Sequence, residues 1–415
     1  MRVLKGKLFL GDYSMKIVLA YFEKFIEMSG GIERVCCNMA NAMAARGHEV
    51  SIVYCYGRSG RPFYALDSAV KTYNLMAEHP DKWKNPSLGQ CVSGFNKVVR
   101  EGLRIFSKSQ AREWNESCKG RMIQQEIKNR IDTIQPDIIV SFRYETSNYL
   151  LHFAHVKVPV ITMFHMSPDF ILPGAPKGEI RAIAESSRAQ VLLKRDIPVV
   201  ERFCPGAHVV WIPNAVPQYE EHADPGAEKK TYTIINAARL NKPQKRQHLL
   251  VEAFAGLAKD YPDWRVELWG GGNDSGASYA KELREQIRKY YLENQVFLKG
   301  ESTHIINQYK KSDIFCFPSA YEGFPLAMTE AMSSGLPVVG FKSCTAVVDL
   351  IDDGRTGVLV DDGAESFAKG MKILMDSREK REKMGAQARE AMKGYAPEAI
   401  WNMWEKLLNE VVSGE

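Results

Sequence analysis

The stretch that most constrains the fold runs from Ser319 to Gly335 and reads S-A-Y-E-G-F-P-L-A-M-T-E-A-M-S-S-G. Ahead of it, Ser312 to Pro318 is a short apolar and aromatic run ending in proline, the pattern of a strand buried on both faces of a parallel sheet. Behind it, Pro325 at a first helical position, apolar spacing at Met328, Ala331 and Met332, and Gly335 as a stop predict one helix of about ten residues. Leu336 to Gly340 then opens the next strand. Strand, tight loop, helix and strand set Glu322, Gly323 and Phe324 at the mouth of a helix N-terminus. There the unsatisfied N–H groups and the helix dipole favour an anion.

Glu322 falls in the loop and Glu330 about a turn and a half into the helix, so the two carboxylates can touch different parts of one elongated ligand. If that ligand carries a phosphate, the backbone N–H groups of Gly323 and Phe324 can hold it, and Glu330 can accept hydrogen bonds from a ribose diol. Taken alone, Glu322 is equally well a solvated loop acid and Glu330 an acid favoured by the helix dipole.

With 415 residues the chain is long enough for two domains of the usual ~100–200 residues each. Eight cysteines include no C-x-x-C pair, and several sit in apolar runs; they read as reduced core residues, which favours the cytoplasm. No apolar run approaches the roughly 20 residues of a membrane span, and no long apolar region follows the basic N-terminus. The expectation is a chain neither secreted nor integral to a membrane. Net charge is +5, but between Lys82 and Arg130 there are eleven lysines and arginines against four glutamates. That segment alone exceeds the surplus of the whole chain.

Met1 to Ser14 read as a leader without assigned role, and Met15 to Tyr21 as the first buried strand. Gly30 and Gly31 then precede a helix whose apolar positions Val35, Met39 and Met43 recur every four residues, followed by a strand over His48 to Tyr54. This β-α-β opening lets backbone approach a phosphate at the glycines. It lacks the full G-x-G-x-x-G pattern, as does Gly270–Gly272, which argues against a NAD-binding oxidoreductase. Within the basic segment, Val99, Leu103 and Phe106 share one helical face, while Lys97, Arg100, Arg104 and Lys108 share another. Such a basic amphipathic helix lies on an anionic membrane surface or covers a core with its polar side in water.

Asp137 to Phe142 and Val158 to Phe164 are further strands, with Arg143 and His165 directly after them. Ligands gather at the carboxyl ends of strands in open parallel sheets, so both residues are well placed for function. A Pro-, Gly- and acid-rich stretch from Val209 to Lys230 marks the domain boundary. The second half restarts at Tyr232, and its loops after successive strands carry Arg239 and Lys245, then Gly270 to Asn273; Lys299 falls within the next strand. Arg239 and Lys245 are where two cations would meet a diphosphate.

The E-G-F-P-L-A-M-T-E pattern, with seven residues between its acids, resembles the E-x7-E motif of the retaining glycosyltransferases of family 4, which have the GT-B fold. The resemblance extends over most of the chain: G-G-x-E-x-V at Gly30–Val35, His165, I-P-N-A-V at Ile212–Val216, A-R-L with Lys245 beyond it at Ala238–Lys245, and G-x-P-V-V-G at Gly335–Gly340. It implies two Rossmann-like parallel-sheet domains facing a cleft. Residues 15–210 would form the acceptor domain, 211–395 the nucleotide-sugar domain, and 396–415 a helix returning to the first. It places Glu330 on the ribose, Arg239 and Lys245 on the diphosphate, and Glu322 with Gly323, Phe324, Pro325 and Leu326 near the donor sugar. Gly271 and Lys299 join that donor set, Gly30 and Gly31 close over the phosphates, His165 lies near the reacting sugar, and Arg143 belongs to the acceptor side. Glu322, His165, Arg239 and Lys245 are then the catalytic group. The loop from Arg239 to Lys245 is one residue longer than the common pattern, and Ala238 stands where a glycine is usual.

The implied reaction is a metal-free, retaining transfer from a nucleotide sugar, with UDP the commonest carrier, to a glycan or lipid-linked acceptor of cell-envelope polysaccharide, lipopolysaccharide or glycolipid. No cofactor and no nucleic-acid partner are expected, and residues 82–130 are the expected contact with an anionic membrane. A soluble synthase of a small glycoside or disaccharide is the alternative.

Overall fold

The computed structural model describes residues 14–77, 83, 88, 92–272 and 274–414. The leader up to residue 13, the basic positions Lys82 and Lys84, Cys91 and Asn273 lie outside the described residues. The chain forms two compact units, one of Met1–Ile212 with Trp401–Glu415 and one of Pro213–Ile400; the sequence reading placed these divisions at 210/211 and 395/396.

In the first unit, β1 (Lys16–Tyr21), β2 (Glu49–Tyr54), β3 (Lys71–Asn74), β4 (Ile138–Ser141), β5 (Val160–Met163), β6 (Arg188–Val191) and β7 (Val209–Trp211) form one seven-stranded sheet. Its order is β3-β2-β1-β4-β5-β6-β7, and every pairing is parallel. The order reverses beside β1, which makes the carboxyl ends of β1 and β4 a switch point. The helix Gly31–Ala45 buries Val35, Met39 and Met43 as its four-residue spacing predicts. The C-terminal helix Pro397–Ser413 buries Trp401, Trp404, Leu408 and Val411. Arg46 ties this helix to the first unit, donating to Glu405 at 3.1 Å and to Asn402 at 3.1 Å.

The basic segment holds a helix, Phe95–Phe106, and a longer one, Lys108–Ile134, whose first turn is capped by the Ser107 hydroxyl accepting from the Gln110 N–H. The expected division of faces needs correction. Val99 and Leu103 are half-buried, but Phe106 is 88% exposed, and with Phe95, Val98 and Ile105 it forms an apolar stripe open to solvent. Amphipathic spacing identifies such a helix without saying which neighbour covers which side.

In the second unit, β8 (Tyr232–Ala237), β9 (Trp264–Trp269), β10 (Val296–Gly300), β11 (Ile314–Phe317), β12 (Val338–Phe341) and β13 (Gly357–Val360) form a six-stranded sheet in the order β10-β9-β8-β11-β12-β13, again all parallel. Its core includes Leu250, Phe254, Val266, Ile314, Phe341 and Phe367. At the amino ends of β8 and β9 a buried cation closes the unit. Arg381 is 3% exposed and donates to the carbonyls of Pro225 (2.9 Å), Leu374 (2.9 Å) and Met375 (3.1 Å). Its guanidinium lies 4.9 Å from the Tyr232 ring and 5.2 Å from that of Trp264. Nearby Asp313 accepts from the Thr233 N–H and from Lys229, both at 2.7 Å.

The seven cysteines among the described residues are all free and buried, as expected of reduced core residues. No helix among the described residues is long and apolar enough to cross a membrane.

Candidate active site

Two sets of polar side chains occupy the carboxyl ends of the two sheets, one in each unit. In the second unit, β11 ends at Phe317 and the chain turns through 318–325 into the helix Leu326–Ser333. That helix has eight residues, not about ten, and Pro325 is its cap, with φ −78° and ψ 77°, rather than its first helical residue. The difference follows from Leu326 N–H bonding the Phe324 carbonyl at 2.9 Å, a tight turn that delays the first helical φ/ψ by one position. Gly335, at φ +85°, is the stop that the sequence predicts.

The segment from Asn241 to Arg246, expected as a basic loop, contains one helical turn, Lys242–Lys245, capped by the Asn241 side chain. Asn-Lys-Pro supplies an N-cap followed by a proline in the first turn, which favours helix even over four residues. The turn delivers Lys245 to Glu322: Nζ lies 2.5 Å from Oε1, and both side chains are largely buried. Gln244 holds the same loop, donating to the Tyr321 carbonyl at 3.2 Å and accepting from the Ala320 N–H through its own carbonyl at 2.7 Å. Arg246, in the left-handed region at φ 47°, turns its guanidinium onto the carbonyls of Pro318 (3.0 Å) and Ser319 (3.2 Å). Arg246 therefore braces the loop, a role no local sequence signal indicates.

Arg239 follows β8, the neighbour of β11. Its side chain is exposed and makes no ion pair among the described residues. Gly323 and Phe324 are buried, and their N–H groups have no backbone partner among the described residues. Glu330 is buried in the helix, 2% exposed. At the end of β9, Gly270 has φ +139°, and a Cβ there would lie 2.0 Å from the Ala238 carbonyl oxygen. Only glycine fits this crossing. Gly271 passes under Glu301, whose carboxylate would meet a Cβ at 2.3 Å. Lys299 lies on β10, exposed, 3.9 Å from Glu267 and 5.5 Å from the Trp269 ring. Lys245 and Glu322 are thus brought into contact, while Lys299 is engaged with β9.

In the first unit, Gly30 caps the helix that Gly31 opens. A Cβ on Gly30 would fall 2.1 Å from Glu33 Oε2, and Glu33 Oε1 accepts from the Tyr21 hydroxyl at 3.1 Å. Close packing against Glu33 is a local reason for that glycine. Arg143 is engaged with Glu145 through two hydrogen bonds, of 3.1 and 2.7 Å. Burial pushes Glu145 up, but Arg143 and then Arg112 outweigh it and hold the carboxyl below its usual range. Glu179, fully buried and 3.1 Å from Arg112, is raised by burial and by Glu145. Sequence inspection missed both glutamates, because they sit outside any motif.

His165 stacks on Phe142, ring centroids 5.3 Å apart, and its Nε2 is buried without a hydrogen-bond partner among the described residues. Burial, and then the charge of Arg143, lower its pKa to about 3. The ring is neutral at physiological pH and offers a hydrogen-bonding nitrogen rather than a proton source. An unfolded histidine titrates near 6.5, so below that pH the unfolded chain binds a proton that the folded chain refuses, and stability is lost as pH falls from about 6.5 towards 3. His48, lowered by burial against the opposing pull of Glu405, acts in the same direction. The raised Glu179 carboxyl acts in the opposite direction over the same range, so the readout is the difference between variants. Relative to the parent chain, His165→Gln is expected to gain urea midpoint at pH 5 compared with pH 7.5, and an identical pH dependence in the two would contradict the assignment.

Among the described residues no three His, Cys, Asp or Glu side chains are grouped as a metal site. The cations Arg239 and Lys245 and the open N–H groups of Gly323 and Phe324 are suited to phosphate oxygens, and Glu330 to hydroxyls.

Comparison with known proteins gives the same assignment from both halves. The family model described as glycosyltransferase family 4 matches residues 29–213, and that of glycosyl transferases group 1 matches residues 217–391. The chain is 25% identical over 388 residues to an exopolysaccharide phosphotransferase of Streptomyces coelicolor, covering 92% of this chain but 40% of that protein. It is 23% identical over 390 residues to the amylovoran biosynthesis glycosyltransferase AmsD of Erwinia amylovora, covering 92% of this chain and 97% of that one. A TarM variant of S. aureus, solved with fondaparinux, alpha-GlcNAc-glycerol and UDP, superposes with a TM-score of 0.72 at 17% identity, over 95% of this chain and 100% of that one. With two doubly wound units and both halves matched, the chain belongs to the group 1, family 4 glycosyltransferases of GT-B fold.

Proposed function

We propose that this chain transfers a sugar, with retained anomeric configuration, from a UDP-sugar to a glycan or lipid-linked acceptor of envelope polysaccharide, and that it does so in the cytoplasm without a metal. The observation that carries the proposal is the grouping at the carboxyl ends of the adjacent strands β8 and β11: the Lys245–Glu322 pair, the exposed Arg239, without an ion pair among the described residues, and the N–H groups of Gly323 and Phe324, without a backbone partner among them. Glu330 holds the ribose hydroxyls, the cations and N–H groups hold the diphosphate, and Glu322 and the loop through Leu326 face the donor sugar. The bond from the anomeric carbon to the diphosphate oxygen breaks as the bond to the acceptor oxygen forms on the same face. The acceptor proton passes to the departing phosphate oxygen. Negative charge grows on the diphosphate, where fixed cations stabilise it most.

The acceptor is assigned to the first unit, with His165 as a neutral hydrogen-bonding group. The relative from Erwinia amylovora supports a polysaccharide product, and the UDP in the TarM complex supports the carrier. The solvent-facing stripe of Phe95, Val98, Ile105 and Phe106, each more than two-thirds exposed, runs beside the exposed Lys97, Arg104 and Lys108. This suits an anionic bilayer surface, where a lipid-linked acceptor would be found.

A thermal-shift panel of UDP-, GDP- and ADP-sugars tests the donor, since a ligand bound to the native state raises its melting temperature. A shift by the UDP-sugar alone is expected, with transfer persisting in EDTA and flotation with anionic but not neutral liposomes. A strict requirement for Mn or Mg would reject the metal-free reading, and absence of flotation the membrane one.

A further inference from the structure

Beside the Gly30–Gly31 turn, residues 57–66 after β2 form a braced loop with an exposed aromatic ring. Pro62 bridges Ile26 in antiparallel fashion, the Glu27 N–H donates to the Arg61 carbonyl at 3.2 Å, and Asn74 donates to the Arg58 carbonyl at 3.2 Å. Tyr64 donates its hydroxyl to the Ser29 carbonyl at 2.9 Å, and Asn41 donates to the Ala65 carbonyl at 3.0 Å. Every brace is backbone or an inward side chain. What the loop leaves outside is Phe63, 48% exposed, with its ring set edge-on to Tyr64 at 5.1 Å. Arg58 and Arg61 are also outside, exposed and without an ion pair among the described residues. Arg61 and Phe63 flank the Pro62 bridge, and both are exposed. Arg34 adds a guanidinium 5.9 Å from the Tyr64 ring. Against them stands Glu27, whose carboxylate lies over Gly60.

We propose that this loop is an acceptor subsite for an anionic glycan, with Phe63 covering the apolar face of one sugar ring and Arg58 and Arg61 holding a carboxylate or phosphate substituent. The inference rests on the glycosyl-transfer reading and extends it to the class of acceptor. A single rigid ring supplies contact area at small entropic cost, and guanidinium forks match carboxylate and phosphate oxygens in pairs. One ring is too small for bilayer insertion, in contrast to the four-residue stripe of the helix Phe95–Phe106. The bracing means the loop need not be ordered on binding.

The test is binding of three oligosaccharides to the full chain saturated with UDP: neutral maltohexaose, a uronate-containing hyaluronan hexasaccharide, and a glycerol-phosphate oligomer. At least one charged probe is expected to bind ten-fold or more tightly than maltohexaose, with the preference collapsing in 0.5 M salt, and which of the two wins identifies the substituent. Arg58→Ala/Arg61→Ala is expected to abolish the preference, while Phe63→Ala weakens all probes alike; unchanged melting temperatures exclude unfolding. Equal affinity for neutral and charged probes, retention of the preference in the double arginine variant, or no binding of any probe would each overturn the subsite. Failure of UDP to bind in the first place would instead overturn the donor reading, so the two failures are distinguishable.

Discussion

Replacing Lys245 with alanine is expected to lower kcat by about ten- to a hundredfold without unfolding the chain, since a charge-assisted hydrogen bond contributes about 1.5–3 kcal/mol. An ammonium has three donors; the one that reaches Glu322 at 2.5 Å leaves two for diphosphate oxygens. The variant loses positive charge where the leaving group becomes negative and strands Glu322 in a nearly closed environment. Because the pair acts as one unit, Lys245→Ala/Glu322→Gln should fall no further than the worse single variant. Arg239→Ala should behave like Lys245→Ala, while Glu330→Ala should raise the donor Kd by about an order of magnitude with a smaller effect on kcat. Steady-state kinetics with a UDP-sugar separate the two patterns. Unchanged kcat in both cation variants would place the leaving group elsewhere.

Arg381→Leu is expected to destabilise the second unit by about 3–5 kcal/mol, because it removes one partner of a buried charge system and orphans three carbonyls. For a unit of this size that corresponds to a fall in Tm of about 10 °C. The guanidinium that serves the carbonyls of Pro225, Leu374 and Met375 is closed in by Tyr232 and Trp264. Asp313 would also lose a neighbouring cation that helps keep it ionised, against the burial that raises its pKa. Arg381→Lys should recover only part of the loss, since an ammonium keeps the charge but not the planar fork or the stacking. Calorimetry decides it; a fall in Tm below about 2 °C in the leucine variant would mean the clasp is dispensable.

The strand, loop and helix around Glu322 and Glu330 are legible from sequence because buried parallel strands, turn residues and a helix stop are local signals. The placement of Arg239, Gly271 and His165 at strand ends follows from the same signals and the geometry of parallel sheets. The Lys245–Glu322 contact spans 77 positions and depends on one short helical turn that the proline at 243 permits but does not announce. Arg381 lies in the run R-E-K-R-E-K, which reads as a solvated helix face; its burial is decided by Pro225, 156 positions away. The helix Phe95–Phe106 shows the same limit. Its period is visible, but a hydrophobic period carries no information about what stands opposite.

The return of Trp401–Glu415 to the first unit bears on how the protein is made. The second unit is one uninterrupted segment, whereas the first is completed only when Trp401–Glu415 brings in Trp404 and the Glu405 partner of Arg46. Synthesis from the amino terminus usually completes domains in order; here the half that is begun first is finished last. A chain cut just after Ile400 would leave an unlidded apolar face on its older half, while its younger half is whole.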